Sequence, residues 1–184
     1  MTLQLVACVL AFTPFVLGAS EVLPASPYVG QDARDIKSLS LEDVDAYLSG
    51  KGMGLAKAAE LNGYAGPAHV LELASELALT PEQRTRTEAL FASMTSKASS
   101  LGRALVEEER KLDRLFATKT VTPELMANSL NEIGLLQAKV RAAHLEAHLA
   151  QVGILTPEQN ARYAPLRGYS SAGAHTGHGR QRKH

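Results

Sequence analysis

The sequence is short of the residues that carry most familiar chemistry. Its only cysteine is Cys8, so neither a disulfide framework nor a multi-cysteine zinc site is available, and thiol catalysis has almost nothing to use. Tryptophan is absent and aromatic residues make up 5% of the chain. No sign of charge is in excess: 19 Lys and Arg stand against 19 Asp and Glu. That balance removes the sequence-independent attraction on which a dedicated DNA or RNA binder depends, and no nucleic-acid partner is expected. A glycine-rich phosphate loop, a nucleophile elbow and a carboxylate pair in an identifiable cleft are also missing, so the sequence does not read as an enzyme. What remains is a chain of 184 residues, 45% apolar, with the length of one ordinary domain plus tails.

Residues 3–19 are apolar or small apart from Gln4, Thr13 and Pro14, and Gly18, Ala19 and Ser20 offer small side chains for a signal peptidase. Residues 1–20 therefore read as a secretory signal, although the usual basic start is lacking and the first basic residue is Arg34. The apolar run is somewhat short for a membrane span, which needs about 20 residues. An uncleaved membrane anchor is the alternative. Cleavage near residue 20 would remove Cys8, and a mature protein without thiols suits an oxidising compartment, here the periplasm.

Residues 21–66 read as a linker carrying two short helices that act as small lids. Ser40-Leu41-Glu42-Asp43 is a capping box that opens the first, and Gly50, Gly52 and Gly54 end it; the second runs through Ala58 and Leu61 to Asn62-Gly63. Gly66-Pro67 opens a helix over residues 67–78. Thr80 as N-cap, Pro81, Glu82 and Gln83 then start the longest helix. To about Phe116, its Leu90, Phe91, Met94, Ala98, Leu101, Leu105, Leu112, Leu115 and Phe116 share one side, with Arg103, Glu107, Arg110 and Arg114 opposite. Such a helix is about 50 Å long and needs a partner running back along it. Thr122-Pro123-Glu124 supplies the partner, residues 123–152, with Met126, Leu130, Ile133, Leu136 and Val140 on one stripe. A second apolar set, Leu145, Leu149 and Val152, implies contact with two neighbours near its end. Leu155-Thr156-Pro157-Glu158-Gln159 starts a short last helix, and residues 169–184, with no large aliphatic residue, read as a disordered basic tail.

Leu-Thr-Pro-Glu-Gln occurs at residues 79–83 and again at 155–159, flanking a long helical hairpin behind an export signal. This arrangement resembles the LTxxQ family of periplasmic stress proteins: the Spy/CpxP chaperone-like proteins, ZraP and the periplasmic heavy-metal sensors. The resemblance covers about residues 67–168. It implies an all-α fold, a long antiparallel helical hairpin with short flanking helices, assembled as a cradle-like homodimer without enzymatic activity. It also implies either ATP-independent holding of unfolded client proteins or the binding and reporting of metal ions, with a membrane sensor as a further partner.

His144 and His148 stand four apart on a helix, so both imidazoles can face one way and chelate a Zn, Cu, Ni or Co ion. The intervening Leu145-Glu146-Ala147 makes neither of the zinc-protease words. If the hairpin turns near residues 119–120, His144 lies level with about residue 95 and His148 with about 91. An earlier turn at residues 79–80 would put His69 level with about 90. Three histidines and Met94 would then share one slice roughly 8 Å thick. The plainer alternative makes His144 and His148 amphipathic edge residues, hydrogen-bonded or half-solvated, and His69 a helix-start residue. His175, His178 and His184 in the tail suit weak metal capture, against which Arg180, Arg182 and Lys183 would act by repulsion.

Overall fold

The computed structural model describes residues 26–169, so the proposed export signal and His175, His178 and His184 lie outside the described residues. Within them are a 3-10 turn at Gln31–Ala33 and six α-helices: α1 (Leu41–Ser49), α2 (Lys57–Glu60), α3 (Pro67–Glu72), α4 (Pro81–Ala117), α5 (Pro123–Val152) and α6 (Pro157–Leu166). No described residue forms a strand, and no described helix is long and apolar enough to cross a membrane.

Local chemistry places the helix starts. Thr80 is extended and its hydroxyl accepts the Gln83 N–H at 3.1 Å, while Gln83 Oε1 accepts the Thr80 N–H at 3.1 Å. Pro81 stands where a backbone donor would have no intrahelical partner anyway. Thr156 and Gln159 repeat the device at α6, and Ser40 with Asp43 forms the same box at α1. The two glutamines do more than cap. Gln83 Nε2 donates to Gln159 Oε1 at 2.8 Å and Gln159 Nε2 donates to Gln83 Oε1 at 3.0 Å. Each amide also donates to a backbone carbonyl across the gap, Gln83 to Ile154 and Gln159 to Leu77. The twin motifs thus clasp the base of α4 to the base of α6.

Between those ends α4 and α5 pack antiparallel, with Leu105, Ile133 and Leu136 buried and Leu101, Leu112 and Tyr47 against them. The chain reverses through residues 118–122, where Lys119 takes a left-handed φ of 56°. A second core gathers Ala65, Val70, Leu77, Leu155 and Tyr163 under the clasp.

Several expectations need correction. Helix α3 stops at Glu72 instead of running to residue 78: Leu73 leaves the helical region with ψ 21°, and Ala78 takes φ 50°. The Leu79 N–H then closes on the Ala74 carbonyl, and the turn drives Leu77 fully into the second core. The segment before α2 is more than a linker with lids. Ile36 is 2% exposed, α1 docks along α4, and the polar side of α4 holds the strap through Asp113 to Lys37, Glu109 to Ser38 and Arg110 to Asp35. The docking is close because position 102 is glycine: a Cβ there would lie 2.1 Å from the Tyr47 carbonyl oxygen. Several stripe residues stay in solvent, among them Phe116 at 54% exposure, Leu130 at 49% and Leu149 at 61%. Among the described residues none folds back past the hairpin's closed end to cover the first two. Tyr169, placed in the unfolded tail, instead donates its hydroxyl to Glu60 at 3.0 Å.

Candidate functional site: a histidine-lined cavity

The buried stripe of α5 continues from Ile133, Leu136 and Val140 through Ala143 and Ala147, and the same periodicity carries His144 and His148 inward. Both are buried, at 3% and 8% exposure, so neither is half-solvated, and of the two only His148 makes a hydrogen bond among the described residues. His148 Nδ1 lies 2.8 Å from the Tyr64 carbonyl oxygen. A carbonyl only accepts, so that contact puts the proton on Nδ1 and leaves Nε2 an acceptor in the neutral ring. The backbone before α3 lies flat on this imidazole, which only glycine permits: a Cβ on Gly66 would stand 2.8 Å from His148 Cε1. His144 Nε2 is buried with no hydrogen-bond partner. Burial, and secondarily the neighbouring His148, holds the His144 pKa below the usual 6.5, so the ring is neutral at neutral pH.

His69 sits in the first turn of α3, partly exposed, with Nδ1 2.9 Å from Glu72 Oε2. Together His69, His144 and His148 line a cavity of about 520 Å³ whose α4 wall is Phe91, Met94 and Thr95. The three histidines that the turn positions put near one level thus line one cavity. Sharing a cavity is not convergence, however. Among the described residues no three His, Cys, Asp or Glu side chains group closely enough to hold a metal ion.

Sequence reasoning missed the residue that organises the cavity's floor. Glu60, at the end of α2, is 8% exposed. Its Oε1 accepts from the Tyr163 hydroxyl at 2.6 Å and from Tyr169, with Arg167 Nε at 3.4 Å, while Oε2 stands 3.7 Å from His148 Nδ1. Tyr163 is fully buried. Burial first, and its hydrogen bond to Glu60 second, push its pKa far up, so the phenol keeps its proton and donates it to the carboxylate. Nothing local marks this set, because Ala-Ala-Glu-Leu reads as an ordinary solvated helix and the partners lie about a hundred residues away.

The model of the LTXXQ motif family matches residues 67–167, which is more than half of the chain and takes in α3 to α6. No curated protein and no solved structure matches it.

Proposed function

Since the chain belongs to the LTXXQ motif family, we propose that it is an exported, periplasmic stress protein that acts by binding, holding unfolded proteins without ATP. Membership of the family fits a periplasmic stress or metal-resistance role. The observation that carries the chaperone-like reading is the apolar surface at the closed end of the hairpin. Phe116, Leu125, Met126 and Leu130 are between 37% and 54% exposed there, at the end of α4 and the start of α5. Exposed apolar groups gathered in one region mark interaction surfaces, and a methionine adapts to varied partners. Along the outer side of α5, the exposed Leu135, Ala138 and Leu149 with the half-buried Ala142 offer a further apolar stripe on which a second copy of the chain would pack as a homodimer. The test is suppression of aggregation of a denatured client at equimolar ratio. The wild-type chain should protect, and Met126→Glu/Leu130→Glu should protect much less while keeping its helix content. Equal protection by the two proteins would rule out the hairpin tip as the holding surface.

A second reading is metal responsiveness. It is favoured by His144 and His148 lining one cavity with His69 and Met94, and by the unpartnered His144 Nε2. A Zn, Cu, Ni or Co ion would draw on the two α5 imidazoles, with His175 and His178 of the tail as added ligands. Titration of the full chain, of a chain lacking residues 169–184 and of His144→Ala/His148→Ala tests it. Affinity lost only with the tail would refute the helical site.

A further inference from the structure

A half-open cavity of about 520 Å³ lies between the 49–54 loop, the start of α3 and the hairpin. Loose packing does not explain it, because the frame is tight. A Cβ on Gly50 would stand 2.7 Å from the Thr95 carbonyl oxygen, and one on Gly66 2.8 Å from the His148 ring. The strap already lies as near the hairpin as backbone allows at both edges, so the space is spanned and not merely unfilled. Its size falls within the roughly 300–1,000 Å³ of small-molecule sites.

The walls say what would fit. They are chiefly apolar, and Phe91 with Met53 and Met94 presents a ring and two thioethers, surfaces that favour a flat aromatic guest. Two lining residues, each more than nine-tenths buried, keep a polar atom without a hydrogen-bond partner: Glu60 Oε2, which has His148 Nδ1 at 3.7 Å, and His144 Nε2. A carboxylate accepts, so a guest that meets Glu60 must bring a hydrogen-bond donor; His144 Nε2 accepts from the same donor when its ring proton sits on Nδ1. A charged guest is disfavoured: a cation would find the Glu60 carboxylate already faced by Arg167 at 3.4 Å, and an anion would be brought against that buried carboxylate.

We propose that this cavity binds an uncharged aromatic molecule bearing a hydroxyl or amino donor, its ring against Phe91 and Met94 and its donor directed to Glu60 or His144. Both polar atoms lie shielded behind the wall, and a side-chain rotation that brings one of them to the guest is part of the proposal. The proposal goes beyond the chaperone-like reading and does not depend on it, since client protection is measured separately.

Calorimetry and amide-correlation spectra of the full chain with 4-phenylphenol, 4-methoxybiphenyl and zinc chloride test the assignment. The phenol should bind at one site and the ether, which lacks the donor, about tenfold more weakly, the worth of one good hydrogen bond. Shifts should be confined to residues 49–54, 66–69, 91–95 and 144–148. Ala68→Phe, at the mouth, should abolish binding; if that variant does not fold, Met94→Trp fills the same space from α4. Equal affinity for phenol and ether, shifts at the hairpin tip, binding that survives the filled cavity, or no binding of either compound would each overturn the proposal. Zinc binding at those residues without phenol binding would overturn it in favour of the metal reading.

Discussion

Replacing Gly102 by alanine sets two effects of opposite sign against each other. Alanine favours a helix interior over glycine by about 1 kcal/mol, so propensity alone stabilises α4. The new methyl, however, would lie 2.1 Å from the Tyr47 carbonyl oxygen and 2.7 Å from its carbon, whereas contacts under 3.0 Å essentially never occur. Both obstacles are backbone, so no rotamer change relieves them, and α1 must back away by roughly 1 Å. Overpacking of this kind costs about 1–3 kcal/mol, and the withdrawal also loosens Ala46 and Ile36, which are 6% and 2% exposed. The steric term wins. With a 2.1 Å clash against backbone the cost lies at the upper end of that range, and the net loss of about 2 kcal/mol corresponds to a Tm lower by roughly 4–8 °C in a chain of this size. Gly134, in the middle of α5, is the control, because a Cβ there meets nothing within 4 Å. Gly134→Ala should gain about 0.4–1 kcal/mol from propensity and the narrowed unfolded ensemble. Thermal unfolding followed by far-ultraviolet circular dichroism reads both. If the two variants raise Tm alike, α1 does not dock on α4 as described and the strap argument fails.

The glutamine clasp predicts coupling: Gln83→Ala and Gln159→Ala should each cost about 1–3 kcal/mol, and the double variant less than their sum by about 0.5–3 kcal/mol. Strict additivity in a urea-unfolding cycle would mean that each glutamine serves only its own cap. Acid should weaken the fold through His144, whose pKa in the folded chain is held below 6.5 by burial first and His148 second. The unfolded chain then takes up more protons as pH falls past the ordinary histidine value. Its contribution is therefore full above about pH 6.5 and is lost on acidification towards the depressed folded-state value. His144→Phe should flatten that limb, and a wild-type chain that grows more stable between about pH 7 and pH 5 would contradict the buried neutral ring.

The candidate site was legible in part, and the boundary follows sequence distance. That His144 and His148 face one way is a property of helix geometry, and their level opposite Phe91 and Thr95 follows from rise per residue and a turn flagged by Thr122-Pro123. His69 could be placed by the same reasoning from its own turn. Glu60 could not, because its partners Tyr163, Arg167 and Tyr169 come from the far end of the chain and no periodicity links them. Exposure also escaped the pattern: Leu149 lies on an apolar set yet is 61% exposed, because amphipathicity names a face without naming what covers it.

The sequence by itself determined where helices begin and how the hairpin closes, since a cap bonds backbone groups two or three residues away and needs nothing else. Only the tertiary structure decided that the two capping glutamines hold each other. It also decided that glycines at 50, 66 and 102 are points of close approach, and that a buried carboxylate underlies a histidine-lined cavity. Those outcomes depend on what packing brings together across long stretches of chain, and a residue's type does not record its distant neighbours.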